Sequence, residues 1–276
     1  MSQIDKEKLK TALATLYDEP SGSYLSGHFI SLVQNSRSAA FWPNVDPSLT
    51  WNPHQAAKRL LLIHTDLLNI ATVSIRLIMQ QLWRGNECKP RIGDELWRFF
   101  ASADIDFFFS KYRSIFDNIA QLINTISKES LPSSFNDLIK KAKSGSLSLD
   151  LEYVHLILKC DWFETIKKIR DSIEHQAAET NVDYSRDRVL FVVSSLDSGY
   201  TQLPGKGLID MPELRDGSFS NFELFAGIYV GYLIWFLEGL SSLVNEDLQF
   251  TLSSTDNSYH PGFSIIRTWI QCAMKI

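Results

Sequence analysis

The sequence predicts a mainly α protein, an antiparallel helical bundle with a small β appendage in its C-terminal third. Two observations indicate this fold class. The 276 residues are 45% hydrophobic but include only 13 glycines and 9 prolines, which is too few for a turn-rich all-β protein. Several long segments also repeat apolar residues every three or four positions, which is the period of a helix that buries one face.

On these patterns the chain divides into three segments. Residues 1–55 are expected to form an N-terminal helix and an ordered loop packed on the core. The bundle domain spans 56–246 and includes a small β element near 188–209, and residues 247–276 form a C-terminal β/α extension. One dominant helical domain therefore carries additions at both ends.

The N-terminal segment is expected to begin as a helix and continue as a loop. Residues 3–18 repeat apolar side chains near the helical period, and Asp5 is well placed to cap the helix. From Pro20 to Pro53 the sequence turns to Ser, Gly, Asn and Pro with scattered aromatic residues. This composition predicts a long ordered loop laid across the core.

Three long helices are expected in the bundle, over residues 55–84, 94–127 and about 151–178, with a short helix, FNDLIKKAK, between the second and the third. His64 falls on the apolar stripe of the first helix. We therefore favour a buried, hydrogen-bonded core histidine there over a catalytic one. The core stripe of the third helix is expected to comprise Leu151, Val154, Leu158, Trp162, Ile166, Ile169, Ile173 and Ala177.

The C-terminal third combines a strand with a very apolar helix. RVLFVVSSL (188–196) alternates β-branched and apolar residues, which predicts a strand. Residues 221–244 form a helix whose uncharged run is shorter than the ~18 to 20 residues of a membrane span, so we expect a core helix and no membrane partner. Gln249 to Ser254 and Phe263 to Gln271 are two candidate strands, of which the second is alternatively a helix.

Charge and cysteine content restrict the function classes. The net charge of −5 means that the molecule as a whole repels nucleic acid, so any RNA contact must come from a locally basic patch. Cys88, Cys160 and Cys272 are far apart in the sequence, which fits neither a disulfide framework nor a CxxC metal site. The N-terminus has no apolar signal core, so we expect a cytoplasmic protein.

The most informative stretch is WFETIKKIRDSIEHQAA (162–178), which places Arg170, Asp171 and His175 on a helix. An arginine that binds phosphate and a histidine that moves a proton are the side chains needed for phosphodiester chemistry. A second pair with the same spacing, Arg59 and His64 in RLLLIH, has leucine after its arginine. The polar Asp171 therefore distinguishes the first pair from the second.

Helix geometry leaves two interpretations of this stretch. Arg170 and His175 are about 140° apart on an ideal helix. They converge only through the reach of the arginine, a frayed helix end or a second subunit. In the alternative interpretation, Arg170 pairs with Glu174 four residues on, and His175 is simply exposed near the helix C-terminus, where a cation is favoured.

Arg113 and Asp117 are a second polar feature, on the flank of the helix over 94–127. Their spacing of four residues puts them on the same side of that helix. They form either an ordinary intrahelical ion pair or the support of a polar site at the edge of the bundle.

KYRSIFDNIAQLI (111–123), followed about fifty residues later by WFETIKKIRDSIEH, resembles the HEPN superfamily of helical bundles. The mark of that superfamily is an arginine, a polar residue (Asn, Asp or His) and a histidine four to six residues past the arginine. The motif maps to Arg170, Asp171 and His175, and the resemblance covers roughly residues 56–178.

The resemblance implies a metal-independent endoribonuclease without a cofactor, in which a 2′-hydroxyl of RNA attacks the adjacent phosphorus. His175 would move the proton, Arg170 would bind the phosphate, and Asp171 would orient one of the two, with Arg113 and Asp117 in support. Members of the superfamily often build the site from two subunits. A homodimer is therefore expected as well as an RNA substrate.

Two other functions stay open on the sequence. One is a non-catalytic RNA-binding or protein-interaction module, such as a defence or toxin–antitoxin component with an antitoxin or other protein partner, in which the motif survives as an ion pair. The other is a small-ligand-binding bundle with its pocket under the aromatic loop 20–53. The acidic net charge favours both, whereas Arg170, Asp171 and His175 favour the nuclease.

Overall fold

The computed structural model describes residues 4–19, 22–39, 52–85, 94–127, 130–175, 178–183, 188–195, 201–203, 214–216, 219–248 and 258–276. The protein is mainly helical with small antiparallel sheets, as its composition predicts. The helices are α1 (Lys6–Thr15), α2 (His28–Ala39), α3 (Pro53–Gly85), α4 (Asp94–Ile126), α5 (Phe135–Lys143), α6 (Leu151–Leu158), α7 (Phe163–His175), α8 (Phe222–Leu248) and α9 (Gly262–Ala273).

The strands among the described residues form two small sheets in which every pairing is antiparallel. The first sheet has the order β1 (Leu16–Glu19), β2 (Gly22–Leu25) and β8 (Ser258–Tyr259), so it joins the two ends of the chain. The second sheet has the order β3 (Glu179–Asp183), β4 (Leu190–Ser195), β7 (Phe219–Asn221) and β6 (Arg215–Asp216), with β5 (Thr201–Leu203) paired to β4. The strand predicted from RVLFVVSSL is β4, at the centre of this sheet.

Two long helices, α3 and α4, pack along each other, and α8 fills the core beside them. Gly227 and Gly231 permit close contact with α8. A Cβ at Gly227 would lie 2.5 Å from the backbone oxygen of Trp269 in α9, and one at Gly231 would lie 2.6 Å from Leu9 Cδ2 in α1. Gly227 therefore has room only for hydrogen, because the backbone of α9 comes so near, whereas a Cβ at Gly231 would have to displace the end of the Leu9 side chain.

Within the part of the chain that the structure describes, two helical segments, Pro53–Leu82 and Phe222–Asn245, are long and apolar enough to cross a membrane by length and composition alone. In the second segment 83% of the most apolar window is buried inside the protein, against 50% in the first. Burial of that degree is typical of a core helix that is apolar on all sides.

The prediction of a loop over 20–53 is wrong for much of that range, because the chain forms β2 and then α2 there. Phe29, Ile30, Leu32 and Val33 recur at helical spacing and are buried. The N-terminus of α2 is capped from a distant part of the chain: the Glu238 carboxylate accepts hydrogen bonds from the backbone N–H groups of His28 at 2.9 Å and Phe29 at 3.1 Å. Residues 40–51 of the expected loop lie outside the described residues.

The first helix is shorter than predicted. Asp5 caps α1 as expected, with its carboxylate accepting the Lys8 N–H at 3.3 Å. The helix ends at Thr15 and not at residue 18, because Leu16 to Glu19 leave it to pair with β2. Cross-strand pairing thus takes precedence over continued helical spacing.

The single helix expected over 151–178 is broken into α6 and α7 by a turn at residues 159–162. The break shifts the helical phase, so Leu151 and Leu158 are 72% and 39% exposed instead of buried. Tyr153 and Ile157 take their place in the core of α6. Trp162, Ile166 and Ile169 are buried as predicted, Val154 and Ile173 are partly buried against the core, and Ala177 lies outside the described residues.

The C-terminal end of the chain is helical. Phe263 to Gln271 belong to α9, which is the alternative to a strand, and α9 packs against α8 and α3. Its approach is close, since a Cβ at Gly262 would collide with the backbone of Ala71. The other candidate strand, Gln249 to Ser254, lies outside the described residues.

Candidate functional site

The candidate site lies on α7, the helix that carries the RDSIEH motif. Phe163, Ile166, Ile169 and Ser172 are buried, and the helix packs against α4. The helix ends at His175, and the backbone N–H of Ala178 then bonds the Ser172 carbonyl at 3.1 Å as the chain turns towards β3. His175 is thus the last residue of α7 that the structure describes, and it is exposed.

Arg170 and His175 are in direct contact within one chain. Arg170 Nη1 lies 3.0 Å from His175 Nε2. A guanidinium can only donate, so His175 Nε2 is the acceptor in this contact. The long arginine side chain and the terminal position of His175 together overcome the angle of about 140° between the two positions on an ideal helix.

The alternative pairing of Arg170 is present as well. Arg170 Nη2 forms an ion pair with Glu174 Oε2, and Nη1 also donates to Asp171 Oδ1 at 3.2 Å. The Arg170 side chain is 25% exposed, so solvent still reaches it. The same guanidinium therefore contacts the histidine, the polar residue after the arginine, and the carboxylate four residues on.

Asp171 is fixed from two sides. Its Oδ2 lies 3.1 Å from Lys167 Nζ, while Oδ1 accepts from Arg170. Burial alone would raise the pKa of Asp171, but the hydrogen bonds and charges of Lys167 and Arg170 outweigh burial and lower the pKa below its ordinary value. Asp171 is therefore an anion at neutral pH, and the group that it orients is the arginine.

Arg113 and Asp117, predicted as supporting residues, lie beside this group. Arg113 Nη1 is 3.0 Å from Asp117 Oδ1, and the Arg113 guanidinium lies 5.0 Å from the ring centre of Phe163, the first residue of α7. Burial raises the pKa of Asp117 against the opposing effects of Arg113, the backbone N–H of Phe135 and Arg170. The structure thus brings Asp117 within electrostatic reach of Arg170.

These side chains form one polar cluster between α4 and α7. It contains three cations and three carboxylates, so its net charge is zero while the imidazole is neutral. Among the described residues no group of three His, Cys, Asp or Glu side chains could hold a metal ion. The polar cluster consists of Arg113, Asp117, Lys167, Arg170, Asp171, Glu174 and His175.

An aromatic cage around Lys8, which no pattern in the sequence indicates, lies at the other end of α7. Lys8 Nζ lies 4.9 Å from the ring centre of Trp162, 5.4 Å from that of Tyr232 and 4.8 Å from that of Trp235. It also donates to the Lys159 carbonyl at 3.3 Å. Tyr232 and Trp235 lie three residues apart in α8, whereas Lys8 and Trp162 are far from them in the sequence. The cage therefore ties α1 to α8 and to the start of α7.

A shallow surface cavity of about 290 Å³ lies on α3, and its lining does not include the polar cluster. The first residue of its lining, His54, directly follows the loop 20–53, under which the small-ligand interpretation places its pocket. Its lining comprises His54, Lys58, Leu61, Leu62 and Thr65.

Comparisons of the chain with protein-family models, with curated proteins and with solved structures give no match. The function of the polar cluster is therefore inferred from its own geometry and chemistry.

Proposed function

We propose that the polar cluster is the active site of a cytoplasmic, metal-independent endoribonuclease of the HEPN type. The observation that carries the proposal is the 3.0 Å contact between Arg170 Nη1 and His175 Nε2 at an exposed helix end. It joins a phosphate-binding group to a proton-transfer group on one surface. RNA is the substrate because the chemistry available to this pair needs a neighbouring 2′-hydroxyl.

His175 is the general base in this mechanism. Its Nε2 carries no proton while it accepts from Arg170, so it can take the proton of the 2′-hydroxyl once the arginine turns to the phosphate. The O2′–H bond breaks, O2′ bonds to phosphorus, and the P–O5′ bond breaks. The imidazolium or water returns a proton to O5′, which leaves a 2′,3′-cyclic phosphate and a 5′-hydroxyl.

Arg170 binds the phosphate and stabilises the charge of the pentacoordinate transition state. Its planar fork matches two phosphate oxygens, which a lysine ammonium cannot do. Asp171 is a positioning residue, since it holds Arg170 Nη1 and is itself held by Lys167. Arg113 and Asp117 support the same surface from α4.

The proposal includes a homodimer, because members of the HEPN superfamily, which the motif resembles, often build the site from two subunits. Arg170 and His175 meet within one chain, so geometry no longer requires that the pair be shared between two subunits. Light scattering at micromolar concentration tests the dimer, and activity across that concentration range tests whether a second subunit contributes to the site.

The deciding experiment incubates the purified protein with structured RNA in EDTA beside an Arg170→Ala/His175→Ala double variant. Cleavage by the natural protein alone is expected, with 2′,3′-cyclic phosphate ends. RNA that carries 2′-O-methyl groups should resist. Equal cleavage by the double variant would remove the assignment of this site.

The second candidate function is a non-catalytic RNA-binding or protein-interaction module. The engagement of Arg170 by Glu174 and the zero net charge of the polar cluster favour it. A structural ion-pair network would have the same arrangement. Failure of the natural protein to cleave any RNA would select this function.

A further inference from the structure

The Arg170 guanidinium has two donor faces, its Nη1 side and its Nη2 side, and the two have different partners. Nη1 donates to Asp171 Oδ1 and to His175 Nε2, whereas Nη2 pairs with the Glu174 carboxylate. A carboxylate and a phosphodiester each offer a guanidinium a pair of oxygens in a similar geometry. The Glu174 carboxylate therefore lies where a phosphate group would bind Arg170.

Of the two carboxylates on Arg170, Glu174 is the one that can leave. Asp171 also binds Lys167 at 3.1 Å, so its departure would leave a second cation unpaired. In the described part of the chain, the one ion pair that Glu174 forms is with Arg170, and Glu174 is an exposed residue in the last turn of α7. Glu174 also directly precedes His175 in the sequence, so movement of the Glu174 side chain exposes the Arg170 guanidinium next to the imidazole.

We propose that Glu174 is a built-in competitor for the phosphodiester, whose carboxylate occupies the anion-binding face of Arg170 and must leave before a phosphate group of the substrate binds. This proposal rests on the proposed function for the identity of the phosphate, which belongs to RNA. Because the polar cluster has no net charge with Glu174 in place, displacement of this carboxylate turns the face of Arg170 into a cationic site.

The test measures equilibrium binding of a fully 2′-O-methylated RNA oligonucleotide, which cannot be cleaved, at one fixed salt concentration. Glu174→Gln is expected to bind it about 3- to 5-fold more tightly than the natural protein, which corresponds to the loss of one partly exposed competing ion pair. Glu174→Ala should show the same gain if the glutamine variant folds poorly. Circular dichroism melts establish that each variant is folded.

Glu164→Gln is the matched control. Glu164 pairs with Lys168 four residues on in the same helix, with 3.8 Å between the charged atoms, so its substitution removes the same charge from a neighbouring pair. It should change RNA binding less than about 2-fold, because only the mean surface potential changes. An equal gain from Glu164→Gln and Glu174→Gln would overturn the proposal, as would a gain that persists when Arg170→Ala is added.

Cleavage of unmodified RNA by the same proteins separates this proposal from the proposed function. Tighter binding by Glu174→Gln without cleavage by any protein would keep the competitor and remove the nuclease. Cleavage by the natural protein without any gain in binding from Glu174→Gln would keep the nuclease and remove the competitor.

Discussion

Arg59 and His64 in α3 have the same spacing as Arg170 and His175 in α7, but the two pairs have different partners. Arg59 Nη1 donates to Asn118 Oδ1 in α4 at 3.2 Å, while His64 Nε2 lies 2.9 Å from Ser258 Oγ in β8. The second pair meets at 3.0 Å. In the middle of a long helix, positions five apart face different neighbours, whereas at a helix end the side chains have room to converge.

Burial separates the two histidines further. His64 is 5% exposed, and burial together with the positive charge of Arg37 lowers its pKa to about 4. It is therefore neutral at physiological pH and has a structural role, as the sequence analysis predicted. His175 is exposed beside an arginine. The surroundings of each pair, and not the Arg–x4–His spacing, therefore distinguish Arg170 and His175 from Arg59 and His64.

The largest expected effect comes from exchanging each histidine for alanine. His175→Ala should lower the rate of RNA cleavage ~10² to 10⁴-fold, the usual contribution of one general acid or base. His64→Ala should leave the rate of the folded protein within about 2-fold, since it acts only on packing. Initial rates normalised to the folded fraction, taken from circular dichroism, measure both. A similar loss of rate in both variants would contradict the assignment of His175.

Exchange of each arginine for lysine gives the next largest effect. Arg170→Lys should lower cleavage about 10-fold or more, because the positive charge stays but two-point binding of phosphate is lost. Arg59→Lys should stay within about 2-fold of the natural rate, since Arg59 binds an amide away from the polar cluster. Single-turnover kinetics at saturating protein measure the chemical step, and equal rates for both lysine variants would show that Arg170 has no special role.

Acid should destabilise the protein through His64. The unfolded histidine takes up a proton near pH 6.5, while in the folded protein the pKa of His64 is about 4. The stability from neutral His64 is therefore complete above pH 6.5 and is lost as the pH falls towards 4, by at most about 3 kcal/mol. Burial also lowers the pKa of His260, which adds a loss in the same direction.

Urea unfolding at pH 7.5, 6, 5 and 4 tests this pH dependence. The free energy of unfolding should fall less steeply with acid in His64→Gln than in the natural protein. His175→Gln is the control from the other pair. An unchanged slope in His64→Gln would contradict the assignment of the acid sensitivity to His64.

Uninterrupted periodicity made most of the helices predictable. α4 follows the predicted range closely because its apolar spacing is regular from end to end, and β4 follows from its β-branched residues. The break between α6 and α7 was missed because Cys160, Asp161 and Trp162 include neither glycine nor proline. The start of α2 has no local signal, since its cap, Glu238, is 210 residues from His28.

The residues of the candidate site and its pairs four residues apart, Arg113–Asp117 and Arg170–Glu174, could be identified from the sequence, but the Arg170–His175 contact could not. Motif and polarity selected Arg170, Asp171 and His175, and spacing selected Arg113 and Asp117. On an ideal helix the side chains of Arg170 and His175 point in different directions. They meet in this protein because His175 lies at the end of α7, where the side chains have room to converge. The Lys8 cage has no signature along the chain, because the fold brings Lys8 of α1 and Trp162 to the neighbouring rings of Tyr232 and Trp235 in α8.

The smallest expected effect concerns the partner of His64. Ser258→Ala removes the hydroxyl that lies 2.9 Å from His64 Nε2 and leaves a buried ring nitrogen without its partner. The expected loss is about 1 to 1.5 kcal/mol in the free energy of unfolding, the usual contribution of one buried hydrogen bond. Cleavage by the folded protein should be unchanged.

Ser144→Ala is the control, because Ser144 is an exposed serine at the end of α5 and should change stability by less than about 0.5 kcal/mol. If urea titrations gave the same stability for both variants, the hydrogen bond would contribute nothing, and burial alone would have to account for the neutral state of His64.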